Sequence, residues 1–275
     1  LHNPSVMPFL QYAENRELRK QMQQAFVNRN NNDNEWDNKE IIKKIVSLRI
    51  ERAQLLGYDS HADFVLEMNM AENQETVFNL LNQLWTPAIK RAKDELSFYQ
   101  KAMKADGIND KFEQWDWRYY AEKHRKTAYD LDEEEIKQYF ELNKVKDGVF
   151  WVTKQLFGLN YKELKDLPKY HEDVTAYEVT KDDGSHVGVL YMDFHPRASK
   201  RGGAWMSSFR KQYRKADGEF VSPVITIVCN FTKPTASQPS LLTMDEVGTF
   251  FHEFGHALHG LLSQGTYPRL TGTAV

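Results

Sequence analysis

Three side chains in the last tenth of the sequence have the spacing of a metal site. They are His252, Glu253 and His256, in the order His-Glu-Phe-Gly-His. Residues four positions apart lie on one face of a helix, so the two imidazole rings can bind one metal ion, and imidazole nitrogen suits zinc. Zinc lowers the pKa of a bound water to about 7, and Glu253 can take a proton from that water. The motif therefore predicts peptide hydrolysis, with His252 and His256 as metal ligands and Glu253 as general base.

The residues around the motif predict one buried helix. Thr243 and Glu246 have the spacing of a capping box, which marks a helix start, and Gly265 marks the stop. The apolar residues between them form a broad surface: Val247, Phe250, Phe251, Phe254, Leu258, Leu261 and Leu262. A chance match of the motif is the alternative. We favour the zinc site because uncompensated His and Glu side chains are costly to bury on an apolar helix.

Two other residues of the predicted helix need an explanation. Gly255 weakens a helix by about 1 kcal/mol relative to alanine, and close packing of another backbone segment would explain its presence. His259 lies seven residues after His252, about 10.5 Å along the helix axis, which strains one straight helix to serve one ion. We therefore interpret His259 as a packing residue or as one that supports a metal ligand.

The sequence offers no clear third ligand, although a catalytic zinc ion usually has three from the protein. No Asp or Glu follows Glu253. We expect the third ligand to lie beyond Val275 and both ends of the chain to be cuts in a longer protein. The expectation that follows is that these 275 residues alone are not a working peptidase.

The composition excludes several classes of partner. The net charge is −3 and no basic patch stands out, so we expect no nucleic acid to bind. No apolar run reaches the roughly 18 residues that a membrane span needs, so we expect no membrane partner either. Cys229 is the single cysteine and cannot form an internal disulfide, which fits a reducing compartment, and we expect a cytoplasmic protein.

Apolar periodicity divides the chain into two regions. Residues 1–158 predict a helical region, and residues 159–275 predict the start of a catalytic region with a small sheet and the motif helix. The fold class is therefore mainly α with a small β-sheet, an α+β fold. The predicted helices of the first region are residues 14–29, 38–56, 60–70, 74–105 and 114–125, one that follows the acidic run 130–135, and residues 143–157.

The second region has strand patterns. Residues 174–180 and 186–194 predict a hairpin around an Asp-Gly turn, and residues 223–231 predict a third strand. The glycine pair in residues 200–205 lacks a phosphate-binding pattern, and such a pair lets another backbone approach closely. An edge strand of this sheet could pair with an extended peptide and present its carbonyl to the metal.

Several segments together resemble the thimet-oligopeptidase family of zinc peptidases. They are residues 200–206, 228–231 and 250–259, with further similarity at residues 55–58 and 115–120. Residues 270–275 resemble the peptidyl-dipeptidase, or dipeptidyl carboxypeptidase, branch of that family. The resemblance covers essentially the whole chain.

The resemblance implies a zincin-like, two-lobed protein whose helical region lines a deep channel. It implies one zinc ion per active site, bound by His252, His256 and a glutamate of the next helix, with Glu253 as general base. With the glycine pair, it predicts that Gly203 and Ala204 lie at a sheet edge facing the metal cleft and bind the substrate. It implies short peptides as substrates, with dipeptides released from the C-terminus. An endo-acting oligopeptidase of the family and a catalytically incomplete peptide-binding fragment are the alternatives.

Overall fold

Local capping hydrogen bonds mark the start of three of the helices described in the first half of the chain. The computed structural model describes residues 2–130 and 132–273. Asn15, Ser60 and Asn73 each accept a hydrogen bond from a backbone N–H of the first turn that follows, which satisfies a donor left free at a helix start. The helices are α1 (Asn3–Tyr12), α2 (Arg16–Val27), α3 (Lys39–Leu55), α4 (His61–Leu66), α5 (Gln74–Ala105) and α6 (Gln114–Tyr129).

The chain divides into two units by compactness, one of residues 5–129 and one of residues 130–275 together with residues 2–4. In the first unit, the end of α5 packs on α6 around a buried aromatic cluster of Tyr99, Phe112 and Tyr120. Asp116 of α6 is fully buried and accepts hydrogen bonds from Arg16 and Arg19 of α2. These charge-assisted bonds join α2 to α6.

Two helices of the first unit leave most of their apolar side chains exposed. The periodicity of α3 and of the first half of α5 predicts a buried face for each, but within the described residues these faces are uncovered. The exposed residues are Ile41, Ile42, Ile45, Val46, Leu48, Ile50, Phe78, Leu80, Leu81, Leu84 and Trp85. No described helix, α3 and α5 included, is long and apolar enough to cross a membrane.

The second unit is a small sheet covered by two helices. Its helices are α7 (Glu133–Ile136), which continues into a 3₁₀ turn at Lys137–Tyr139, then α8 (Leu142–Phe157) and α9 (Met244–Leu262). Its strands are β1 (Leu159–Glu163), β2 (Thr175–Lys181), β3 (His186–Asp193), β4 (Trp205–Arg210), β5 (Tyr213–Arg214), β6 (Phe220–Val221) and β7 (Val224–Val228). The predicted class, mainly α with a small sheet, is confirmed.

The main sheet has the strand order β1-β2-β3-β7-β4. Strands β2 and β3 form the predicted antiparallel hairpin, and Gly184 takes φ +82° in its turn, which favours glycine. Strand β7 pairs parallel to β3 on one side and antiparallel to β4 on the other. Strands β5 and β6 pair separately as a short ribbon. Among the described strands, β4 therefore has a free edge.

The core of the second unit lies between the sheet and helices α8 and α9. Leu190, Met192, Ile225 and Ile227 of the central strands are almost fully buried against Phe250 and its neighbours on α9. Such a layer of apolar side chains fixes a helix firmly on a sheet. The position of α9 is therefore determined along most of its length by the strands that it covers.

Compactness and sequence place the boundary between the regions differently. The sequence interpretation divided the chain after residue 158, whereas the compact units divide it after residue 129. Helix α8 belongs with the sheet because its residues Leu142, Val145 and Val149 enter the core of the second unit. That the helical region lines a substrate channel stays a prediction.

Candidate active site

Helix α9 begins as the sequence predicts. The Thr243 side chain accepts from the Glu246 N–H, and the Glu246 carboxylate accepts from the Thr243 N–H, which completes the capping box. Burial raises the pKa of Glu246, while these hydrogen bonds act to lower it. Phe250, Phe254 and Leu261 are buried, whereas Phe251 is 43 % exposed. One face of α9 thus packs on the sheet, and the opposite face is open.

The two histidines of the motif meet on the open face of α9. Both side chains are exposed, and the Nε2 atoms of His252 and His256 lie 3.1 Å apart. Two nitrogens that bind one tetrahedral zinc ion at about 2.0–2.1 Å are separated by about 3.3 Å, so the pair fits a shared ion. The same distance also allows a hydrogen bond in which one ring donates to the other.

Glu253 lies between these histidines in sequence but on the buried side of the helix. The residue as a whole is 7 % exposed, its carboxylate oxygens are not among the fully buried atoms that lack a partner, and no described residue forms a hydrogen bond or ion pair with them. Two imidazoles that can share one ion, beside an acidic side chain without a competing partner, match the groups of a zinc site that activates water, so the three residues together fit a metal ion.

The described residues offer the His pair but not a complete ligand set. Within residues 2–130 and 132–273, no group of three His, Cys, Asp or Glu side chains is arranged to hold a metal ion. His259 is exposed in the last turn of α9 and makes no hydrogen bond within these ranges, so its interpretation as a packing residue or as a support of a metal ligand stays a prediction.

The close packing expected at Gly255 occurs at another glycine of α9. A Cβ atom at Gly255 would meet nothing within 4 Å. At Gly260 it would lie 2.7 Å from the Ile225 Cδ1 atom of β7. Gly260 therefore lets α9 approach the sheet, and the sequence expectation for Gly255 is wrong because that residue faces away from the strands.

The two predicted substrate-binding residues directly precede the edge strand β4. Gly203 is exposed with φ +91°, and Ala204 is half-buried against the core that contains Phe250 and Phe254. The Gly203 carbonyl oxygen accepts a hydrogen bond from the Asn230 Nδ2 atom at 2.6 Å, so this carbonyl is already occupied. Binding of a substrate by Gly203 and Ala204 stays a prediction.

A buried ion cluster holds the loop that leads to Gly203, and the sequence interpretation missed it. Asp193 is 1 % exposed and accepts two hydrogen bonds from Arg197 and one from the Lys200 Nζ atom. Burial acts to raise the pKa of Asp193, but the bonds from Arg197 and Lys200 lower it below its ordinary value. No spacing rule links these residues, because the loop between them is irregular.

Cys229 is fully buried next to this site. Burial first, and then the nearby charge of Glu253, raises the pKa of its thiol. The thiol is therefore protonated and unreactive at neutral pH. Cysteine chemistry can be set aside as the source of activity at this site.

Comparison with known proteins gives a consistent result. The family model described as "Peptidase family M3" matches residues 9–275. Oligopeptidase A of Escherichia coli is 38 % identical over 265 residues, which cover 95 % of this chain and 39 % of that protein. Dipeptidyl carboxypeptidase of the same organism is 39 % identical over 274 residues, which cover 99 % of this chain and 40 % of that protein.

This chain covers a similar share of a eukaryotic relative. Saccharolysin of Saccharomyces cerevisiae is 35 % identical over 283 residues, covering 98 % of this chain and 39 % of its own length. The chain thus spans about two fifths of the length of these curated relatives. The similarity extends over the helical unit as well as the sheet and α9. The chain belongs to peptidase family M3.

Proposed function

We propose that this chain carries the metal-binding helix of a zinc metallopeptidase that hydrolyses short peptides and releases dipeptides from their C-terminus. The observation that carries the proposal is the 3.1 Å separation of the His252 and His256 Nε2 atoms, on the helix that also carries Glu253, whose carboxylate has no partner among the described residues. Bound by these histidines, a zinc ion would polarise the peptide carbonyl and activate a water molecule. Family membership supports the reaction class.

The roles of the chain's own residues follow from their surroundings. His252 and His256 would bind the zinc ion through their Nε2 atoms, which face each other on the open side of α9. Glu253 has no competing partner among the described residues, so its carboxylate is free to take a proton from the attacking water and pass it to the leaving amine. The free edge of β4 can hold the peptide backbone in an extended conformation.

The type of cleavage separates the proposal from its nearest alternative. Some relatives are named oligopeptidase and others dipeptidyl carboxypeptidase, so an endo-acting peptidase is the second candidate. With the protein in its full natural length, we expect a peptide with a free C-terminal carboxylate to release dipeptides, and the same peptide with a C-terminal amide to release none. Mass spectrometry of the products measures this. Equal cleavage of both peptides at internal bonds would favour the endo-acting candidate.

A second prediction concerns the 275 residues as a separate polypeptide. Because the described residues provide two imidazole ligands and no third, we expect zinc to bind much more weakly than in a three-ligand site and peptide cleavage to be absent. Titration with zinc against a competing chelator, followed by a cleavage assay, tests this. Tight one-to-one binding with turnover would contradict it, whereas peptide binding without turnover would favour the incomplete binding fragment.

A further inference from the structure

Backbone geometry determines which residues of β4 face the free edge. The Cys229 N–H donates to the Asp193 carbonyl, so Cys229 turns its backbone groups towards the β3 side of β7. Backbone groups of successive residues alternate between the two sides of a strand. Val228 therefore turns its groups towards β4, where it pairs with Trp205.

The same alternation continues along β4. Because Trp205 faces β7, its neighbours Ala204 and Met206 present their N–H and C=O groups to the opposite side. That side is the free edge of the sheet within the described residues. No backbone hydrogen bond joins Ala204 to any described residue. Ala204 and Met206, rather than Gly203, are therefore the residues with which an added strand could pair.

One side chain fixes the backbone just before this edge. The Asn230 Nδ2 atom donates to the Arg201 carbonyl at 3.0 Å and to the Gly203 carbonyl at 2.6 Å. The Oδ1 atom of the same amide is buried and has no partner among the described residues. Among the described residues, the only polar contacts of this side chain are thus the two with the Arg201 and Gly203 carbonyls.

The rest of the loop is held independently of Asn230. Its beginning is fixed where the Phe231 N–H donates to the Phe194 carbonyl, and its middle where Lys200 donates to Asp193 and to the His195 carbonyl. The two residues after Arg201 are glycines, and Gly203 has a positive φ. Without Asn230 this short Gly-Gly link would be the freest part of the loop.

We propose that Asn230 is a positioning residue for the substrate strand. It fixes the Gly202–Gly203 link so that the backbone groups of Ala204 and Met206 stand ready at the edge of the sheet for an extended peptide. This proposal rests on the proposed peptidase function. Asn230 forms no hydrogen bond with the described motif residues, so we expect its effect to fall on peptide binding and not on the chemical step.

The test compares two substitutions at Asn230 with a matched change at the other edge of the sheet. Asn230→Ala removes both hydrogen bonds, and Asn230→Asp keeps the shape of the side chain but replaces its donor by an acceptor. We expect each to raise KM about tenfold or more, because two backbone hydrogen bonds are lost, while kcat and zinc content stay close to wild type. Asn160→Ala on β1, which removes one exposed hydrogen bond to Asp182, should leave KM unchanged.

Hydrogen exchange gives a readout that a general loss of stability cannot imitate. In a Glu253→Gln background, which stops turnover, a bound peptide should protect the amides of Ala204 and Met206. Those of Trp205 and Ser207, which face β7, should be protected with or without peptide. This measurement does not depend on whether an Asn230 variant folds.

The outcomes separate this proposal from the one on which it rests. A wild-type protein that hydrolyses no peptide would contradict the peptidase function itself. A wild-type protein that hydrolyses peptides, with Asn230 variants of unchanged KM or with no new protection at Ala204 and Met206, would overturn the positioning role alone.

Discussion

Substitution of Glu253 by Gln is expected to lower kcat by roughly 10²–10⁴-fold, the range that a positioned general base contributes. Glutamine has nearly the same shape as glutamate but cannot accept the proton of the attacking water. The substitution should also leave the fold intact, because the wild-type carboxylate forms no hydrogen bond or ion pair with the described residues. The His252 and His256 rings are not altered, so zinc content should match wild type.

A matched control lies on the same helix. Glu246→Gln makes the same chemical change seven residues earlier, where glutamine can still complete the capping box. Its kcat should stay close to that of the wild type. The measurements are kcat in the full-length protein and the zinc content of each purified variant. Near-normal turnover of Glu253→Gln with zinc bound would show that another group acts as the base.

The motif helix is the part of the site that the sequence predicts best. Its capping box is local, and the common face of His252 and His256 needs only their spacing on one helix, so both can be predicted without knowing the fold. The buried residues Phe250, Phe254 and Leu261 follow the same periodicity. Where the prediction depends on a neighbour, as at Gly255, it fails, because only the packed strands show that they approach Gly260 instead.

The glycine pair and the family resemblance predict a sheet edge at Gly203 and Ala204, but the strand that follows them and its pairing needed the structure. Strand β4 was not predicted, because the residues on both sides of Gly202 and Gly203 show no clear alternation of apolar and polar side chains. Its place at the edge depends on pairing with β7, nearly twenty residues later in the chain. The clamp by Asn230 likewise joins residues almost thirty positions apart. Contacts of this kind are set by topology, which a local pattern does not contain.

The second large effect is expected from a substitution in the buried ion cluster of Asp193, Arg197 and Lys200. Asp193→Asn is expected to destabilise the second unit by about 3–5 kcal/mol, the cost of leaving one partner of a buried pair without its counterion. The reason is Lys200, whose side chain is 3 % exposed and whose Nζ atom lies 2.8 Å from the Asp193 carboxylate. Two backbone carbonyls would still accept from this ammonium group, but its charge would be uncompensated.

An exposed ion pair of the same unit provides the control. Asp173 pairs with Lys233, whose side chain is 53 % exposed, so Asp173→Asn should cost about 1 kcal/mol or less. Urea unfolding of both variants and the wild type at neutral pH measures the difference. Equal losses of stability in the two variants would contradict the prediction, because burial of Lys200 would then have no measurable consequence.

The pH dependence of the Asp193 effect has a definite sign. The pKa of this carboxylate is lower in the folded protein than its ordinary value of 3.8, so its contribution to stability is complete above that value and is lost as the pH falls through the folded pKa. The stability difference between wild type and Asp193→Asn should therefore be constant near neutral pH and shrink below about pH 4. Unfolding measured from pH 7 to pH 3 tests this. A difference that stays constant to pH 3 would mean that the ion cluster does not hold the carboxylate in its charged form.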